Sequence, residues 1–289
     1  MISPLHNEAA HVERLLRSMA RQTRPPDLWL AVDDGSTDRT LELLRGATRA
    51  LPFMRVLSAP PQEICATADR LALGLEARAF NWALGQVQSE QFDYVGKLDG
   101  DIELVRDHYA RLLQELEADP ALGVVGCAIA EQRGSRWRLA RTPPHFVHGA
   151  VKLYRRECLQ AVGGIREQLG WDIVDEASAR LHGFRTSSLQ SLIAFHHRQS
   201  GSAQGRLRGH ARAGRSAWVA HYPAPWIALR ALRSAAKPPR GLSGFAFAYG
   251  YLRAAVRGVE QIDDDELRSF IRSELRRRLR RALGLHSQV

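Results

Sequence analysis

Leu28-Trp29-Leu30-Ala31-Val32-Asp33-Asp34-Gly35-Ser36-Thr37-Asp38 passes from an unbroken apolar run into a cluster of acids around a glycine. A short apolar run, ended at once by turn-forming residues, is the mark of a strand buried on both faces. Upstream, Ala9 to Arg21 places Val12, Leu15, Leu16 and Met19 at helical spacing; downstream, Ser36 is placed to cap a helix carrying Leu41, Leu43 and Leu44. Arg55-Val56-Leu57 reads as the next strand, Leu71 to Leu84 as a helix and Tyr94 to Leu98 as a strand. A helix from His108 to Glu117 stopped by Pro120, strands at Gly123 to Ala130 and His148 to Tyr154, and a helix from Val174 to His182 continue the series. Strand and helix in alternation predict an α/β fold with a mixed, mainly parallel sheet flanked by helices.

Near residue 200 the pattern changes. Gly201 to Gly214 is rich in Gly, Ser and Arg and reads as a loop, leading into aromatic and Pro-rich helical stretches around Trp218, Tyr222, Pro223, Pro225 and Trp226 and the Lys237-Pro238-Pro239-Arg240 segment. Two regions are expected, a domain over residues 1–200 and a basic helical region over 201–289. The charge divides in the same place. The net charge is +10, yet residues 1–200 carry 24 Lys+Arg against 25 Asp+Glu, and residues 201–289 carry 17 against 6. The basic region is therefore expected to meet something anionic while the body stays near neutral. With 45% hydrophobic and 25% charged residues, the chain is neither disordered nor of low complexity. Cys65, Cys127 and Cys158 have no C-x-x-C spacing, which argues against a disulfide framework or a cysteine zinc site and for a reducing compartment. No leader is evident at the N-terminus and no window reaches the roughly 18 apolar residues of a spanning helix, so a cytoplasmic protein is expected.

Two acid clusters end predicted strands: Asp33 to Asp38, and Asp99-Gly100-Asp101 after Tyr94 to Leu98. Ligands of open α/β sheets bind at that carboxyl edge. An Asp-x-Asp turn there offers hard oxygens suited to Mg²⁺ or Mn²⁺ bridging a diphosphate. Asp-Gly is also ordinary turn chemistry; the functional reading rests on both clusters sharing one edge.

These residues resemble a known family, the nucleotide-sugar glycosyltransferases of family 2 with the GT-A fold. The resemblance runs from Ile2 to about Gln199. It begins with Pro4-Leu5-His6-Asn7-Glu8 and continues through Asp33 to Asp38, Lys97-Leu98-Asp99-Gly100-Asp101, Tyr154-Arg155-Arg156-Glu157 and Val162-Gly163-Gly164. It ends with Trp171-Asp172-Ile173-Val174-Asp175-Glu176 and His196-His197-Arg198. The family's first strand carries several apolar residues before its Pro, whereas only Met1-Ile2-Ser3 precede Pro4, so either a short strand or a start further upstream is expected.

The resemblance implies a nucleoside pocket from Pro4, His6, Asn7, Glu8, Asp33 and Asp34, with His6 stacking on the base and Asp34 accepting its ring N–H. It places Arg78 at the diphosphate, Asp101 on the metal and Asp99 nearer the ribose or sugar. A histidine of the His196-His197 pair joins the metal; because successive strand residues face opposite ways, His196 is favoured. An inverting transfer needs a carboxylate base on the acceptor hydroxyl. Asp175 is favoured for it, Asp172 is next, and Glu176 competes; acids at a helix start can equally serve as caps. The implied activity is a metal-dependent hexosyl or deoxyhexosyl transfer from a nucleoside-diphosphate sugar to a glycan or polyprenyl-diphosphate-linked acceptor, in cell-surface or extracellular polysaccharide synthesis. Gln132-Arg133-Gly134-Ser135-Arg136-Trp137 has one residue too many, and the wrong position, for the Q-x-x-R-W of processive synthases, so non-processive transfer is expected.

In the C-terminal region Leu267, Phe270, Ile271, Leu275 and Leu279 form an apolar stripe beside a ladder of Arg268, Arg272, Arg276 and Arg280, and Phe245 to Val256 is a short apolar segment. These features suit peripheral attachment to an anionic membrane on the inner face of the plasma membrane, and equally a helix packed on its own domain. No nucleic-acid motif accompanies the charge. Two alternatives stand beside the transferase: a nucleotidyltransferase, which needs a Gly-rich basic loop where Pro4 to Glu8 stands, and a non-catalytic membrane-associated protein that binds nucleotide sugars.

Overall fold

The computed structural model describes residues 1–61, 69–87, 92–140, 142–198, 205–236 and 239–282, without the side chains of Arg133 and Ala282. Cys65, Gln199, Gly201 and the Lys237-Pro238 pair lie outside the described residues. The chain forms two compact units, Met1–Gln199 and Ser200–Val289.

The first unit runs β1 (Ile2–Leu5), α1 (Val12–Ala20), β2 (Trp29–Asp33), α2 (Thr40–Ala47), β3 (Met54–Ser58), α3 (Leu75–Gly85), β4 (Tyr94–Leu98), β5 (Ile102–Leu104), α4 (His108–Ala118), β6 (Leu122–Arg133), β7 (Arg136–Leu139), β8 (Val151–Arg155), α5 (Arg156–Val162), α6 (Trp171–Leu181) and β9 (Arg185–His196). Among the described residues the strands make one nine-stranded sheet in the order β3-β2-β1-β4-β8-β6-β9-β5, with β7 paired to β6. Pairs β3-β2, β2-β1 and β1-β4 are parallel, as is β6-β9, while β8 joins β4 and β6 antiparallel. This is the mixed α/β sheet that the strand and helix pattern predicts.

Side-chain alternation splits the core into two layers, one on each face. Leu5, Trp29, Ala31 and Leu98 join Leu15, Met19 and Leu112 on one face. Ile2, Leu30 and Val32 join Phe80, Tyr154 and Trp171 on the other. Buried Trp29 donates its indole N–H to Ser3 Oγ at 2.9 Å, so its one polar atom is satisfied. Burial pushes the thiols of Cys127 and Cys158 up to about 12, which keeps them protonated and inert.

Two expectations change. Ser36 does not cap α2; its Oγ accepts the Asn7 backbone N–H at 3.0 Å, and Asp38 Oδ1 accepts the Thr40 N–H at 2.9 Å instead. The expected loop up to Gly214 contains α7 (Arg206–Val219), because the small and basic residues there also satisfy a helix.

The second unit continues with α8 (Ala224–Ala235), α9 (Leu242–Val256) and α10 (Asp265–Ala282). Helices α7 and α9 approach through glycines: a Cβ at Gly214 would strike the Phe247 carbonyl, and one at Gly250 the Ala211 carbonyl. The Trp218 indole donates to Val259 O at 2.8 Å, and its ring meets Tyr251 edge-on at 5.5 Å. Leu267, Ile271 and Leu275 of α10 are buried. The apolar stripe of α10 is thus packed within the protein. Among the described residues no helix is long and apolar enough to cross a membrane.

Candidate active site

The carboxyl ends of β1, β2 and β4, the end of β9 and the first turns of α3 and α6 meet along one edge of the first unit. After β1 the backbone turns sharply at Asn7, whose φ of 56° is a left-handed conformation that asparagine tolerates better than most residues. Asn7 Oδ1 accepts the backbone N–H groups of Thr37 at 2.8 Å and Asp38 at 3.3 Å. Asn7 therefore ties the β1 turn to the Asp33–Asp38 turn. His6 donates Nδ1–H to Asp34 O at 2.9 Å, a role set by the carbonyl being only an acceptor.

Asp34 is buried, and burial raises its carboxyl despite an ion pair with Arg70. Arg70 was not singled out from the sequence, where it is one arginine among many before a helix. Arg78, expected at the diphosphate, instead pairs with Glu167 at 3.3 Å on the surface of the unit. Pro4 is buried inside β1 opposite Val32, one residue short of the strand's carboxyl end. Asp33 is buried too, and its Oδ1 has no hydrogen-bond partner among the described residues.

Gly100 separates the two acids because a Cβ there would lie 2.6 Å from Leu5 Cδ2 and 2.7 Å from Glu8 Cγ. The glycine lets Glu8 press against the Asp99–Asp101 turn. Asp99 is ion-paired with Lys97, a fully buried lysine that also binds Glu76 of α3 and donates to Gly149 O at 3.1 Å. Burial raises Glu76 to about 7.

Asp101 Oδ1 lies 3.2 Å from His196 Nε2, and both residues are buried. Against the cost of its burial, the histidine holds the Asp101 carboxyl below its ordinary range, and Asp101 in turn raises His196. Arg198 donates to Glu8 Oε2 at 2.7 Å, with its Nε 3.6 Å from Asp101 Oδ2. Burial first, and the neighbouring Asp101 second, push Glu8 up to about 8. His197 points away and pairs with Glu103 at 2.8 Å.

The Asp101–His196 pair suits a divalent cation. Two adjacent ligands of an octahedral ion at Mg–O distances near 2.1 Å sit about 3 Å apart, close to the separation found. Among the described residues no group of three His, Cys, Asp or Glu converges on one point. A cation held here would take its remaining ligands from a substrate and water, the usual habit of Mg²⁺ with phosphates.

A third histidine, His148, stands beside this pair. Its ring meets that of His196 edge-on at 6.0 Å, its Nδ1 accepts the Ala150 N–H at 3.2 Å, and burial lowers it. The sequence showed it only as the first residue of a strand.

The three acids of α6 separate clearly. The helix begins at Trp171 after Gly170, earlier than the expected Val174, so Asp172 lies in its first turn. Asp175, expected as the base, is 2% exposed. Its oxygens take Lys152 Nζ at 2.9 and 3.0 Å and the Tyr154 hydroxyl. Glu176 is equally buried, accepts the Val147 N–H at 3.0 Å and shares Lys152 at 3.3 Å. Both carboxylates are enclosed, and their oxygens are taken up by these donors. Asp172 is only half-buried, its Cβ lies 3.1 Å from where a Gly149 Cβ would stand, and its charge reaches both His148 and Glu76. None of the three caps α6.

A cavity of about 480 Å³ lies at the opposite, amino ends of β1, β2 and β4, lined by Met1, Leu28 and Tyr94 among others. It contains none of these acids.

A half-parallel sheet with two acid turns and a histidine on one edge defines a nucleotide-sugar transferase of the GT-A type. The model of the Glycosyl transferase family 2 matches residues 1–163, and the chain belongs to that family. It is a glycosyltransferase that moves sugar from a nucleotide-sugar donor, which sets aside the nucleotidyltransferase and non-catalytic readings. No protein of curated function matches the sequence.

Solved structures share the fold. A mannosyltransferase of Pyrobaculum calidifontis, in complex with GDP-Man and Mn²⁺, is 19% identical at a TM-score of 0.57, over 99% of this chain and 80% of that one. TarS 1-349 of S. aureus, in complex with UDP-GlcNAc, is 16% identical at 0.54, over 91% and 73%. GalNAc-T7 with UDP, GalNAc and Mn²⁺ is 13% identical at 0.58, over 97% and 56%.

Proposed function

We propose that the enzyme is an inverting, metal-dependent, non-processive glycosyltransferase in which Asp172, rather than Asp175, is the general base. The observation that carries this reading is the contrast in α6: one carboxylate at the open edge, and two locked inside on Lys152. Asp172, in the first turn of α6 and only half-buried, can take the proton of an acceptor hydroxyl as that oxygen attacks the anomeric carbon.

The nucleoside would lie against His6 and Asp34, beside buried Asp33, whose Oδ1 has no hydrogen-bond partner among the described residues. Asp99, fixed by Lys97, would accept hydroxyl protons of the ribose or sugar. Asp101 and His196 would hold Mg²⁺ or Mn²⁺, which when bound neutralises charge on the leaving diphosphate. Neighbours of the same fold carry Mn²⁺ in their structures, which supports that choice. Arg198, already between Glu8 and Asp101, adds a guanidinium for the diphosphate oxygens.

The donors of the neighbours, GDP-Man and UDP-GlcNAc, set the first panel to try. The acceptor we propose is a glycan or a polyprenyl-diphosphate-linked sugar in cell-surface polysaccharide synthesis, reached from the cytoplasm by peripheral contact with the inner membrane face. Nucleoside-diphosphate release from a donor panel, with Mn²⁺, Mg²⁺ or a chelator, tests the reading. Release that needs the metal and disappears in Asp101→Asn is expected; release unaffected by chelator would overturn the metal assignment.

A further inference from the structure

Helix α9 is packed inside out. Its buried face carries Ser243, Gly244, Ala246, Gly250 and Ala254, with Phe247 the one large apolar side chain among them. Its large apolar residues otherwise face solvent: Leu242, Phe245 (71% exposed), Tyr249, Leu252 (60%) and Val256 (88%). At 3.6 residues per turn these five fall within an arc of about 80°, a single continuous stripe. A helix selected only for packing would turn those side chains inward. Phe245 and Tyr249 stack with ring centroids 6.4 Å apart, and the Arg253 guanidinium lies over Tyr249 at 5.8 Å.

The charge around the stripe has one sign. Residues 177–259 contain no Asp or Glu, and within them residues 201–259 carry ten Lys or Arg. Exposed Arg253 and Arg257 run along one flank of the stripe. Exposed Arg240 precedes the helix, and Leu232 and Arg233 are exposed on α8, whose last turns pack on α9 at Gly244. All six acids of the second unit lie at or beyond Glu260. Large apolar side chains, an aromatic pair with a polar tip and arginines able to snorkel are the features that suit a helix to a membrane interface.

We infer that the exposed face of α9, and not the Arg ladder of α10, is a docking surface for an anionic lipid bilayer. Helix α10 is disqualified by its own packing, since Leu267, Ile271 and Leu275 are already buried. The stripe enters the headgroup and acyl boundary, and Arg253 and Arg257 meet lipid phosphates. This surface is separate from the transferase site and survives or fails independently of it.

Flotation of the full chain with phosphatidylcholine vesicles, with and without 30% phosphatidylglycerol, tests the inference. Binding to the anionic vesicles is expected, at least tenfold weaker in Phe245→Asp/Leu252→Asp, several-fold weaker and less salt-sensitive in Arg253→Gln/Arg257→Gln, and unchanged in Arg276→Gln/Arg277→Gln. All three variants keep wild-type donor hydrolysis, far-UV circular dichroism and unfolding transition, which certifies the fold of both units. Equal flotation of the Asp double variant, or dependence on Arg276 and Arg277 instead, would overturn the inference. So would vesicle-independent dimerisation that the same Asp variant abolishes, because the three-and-four spacing of the stripe also suits a second copy.

Discussion

The two units of the molecule treat charge and apolar surface in opposite ways. The first buries charge: Lys97 and Lys152 are both fully enclosed, each neutralised by two carboxylates and each facing the ring of Trp171 at 5.0 and 5.3 Å. The second leaves most of its charge outside and exposes the large apolar side chains along one face of α9 as well. Buried ion pairs contribute little net stability, but they fix geometry, and here they hold Asp99 at the open edge and anchor the first turns of α6. An exposed apolar stripe gives the unit that carries it nothing, and its use lies in another surface. Substitutions in the first unit should therefore cost catalysis or folding, and those in the second only binding.

The largest effect is expected at Asp101. Asp101→Asn should lower transfer by about a thousandfold or more, with the fold retained, because a Lewis acid contributes several kcal/mol; the assay is nucleoside-diphosphate release at saturating Mn²⁺. Lys152→Met comes next. It leaves Asp175 and Glu176 buried without their cation and should destabilise the protein by about 3–5 kcal/mol, read from the urea midpoint. A double replacement, Lys152→Met with Asp175→Leu, should recover part of that loss.

A comparable effect, confined to acid pH, comes from His108, buried on α4 with neither ring nitrogen hydrogen-bonded among the described residues. Burial pushes it down to about 3 from an ordinary 6.5. Its contribution to stability is full above pH 6.5 and falls as the pH drops toward 3, by up to roughly 1.4 kcal/mol per pH unit. His108→Leu should flatten unfolding free energy against pH over that window, and an unchanged slope would show that the ring is solvated. Smallest of all, Phe245→Ser on the second unit should change the unfolding free energy hardly at all, by no more than about 0.5 kcal/mol, read from the urea midpoint.

Much of the first unit was legible because its signals are local. Leu28 to Val32 is apolar without interruption, and an acid turn follows each of β2 and β4, so strand, edge and ligand chemistry are visible together. Strand alternation lets only one of His196 and His197 face a given side, and the structure places them oppositely, on Asp101 and on Glu103. The illegible parts depend on three-dimensional neighbours. Asp175 and Asp172 both stand near a helix start in the sequence, and only the position of Lys152 on β8 shows which one is locked away. Arg70 and Arg78 are both plausible basic residues near α3, and the turn before the helix decides that Arg70 reaches Asp34. His148 carries no signal until the strands bring it beside His196. In the second unit, amphipathic spacing marked the stripe of α10 and left α9 as a short apolar segment, because periodicity shows that a stripe exists and not whether something already covers it.

The most direct measurement compares Asp172→Asn with Asp175→Asn, using nucleoside-diphosphate release with water or a saccharide as acceptor and nucleotide affinity measured in parallel. Asp172→Asn should release product about 10²–10⁴-fold more slowly with unchanged nucleotide affinity. Asp175→Asn should keep its turnover per folded molecule and lose stability. Wild-type turnover in Asp172→Asn, together with a folded but inactive Asp175→Asn, would contradict the assignment and return the base to the interior of α6.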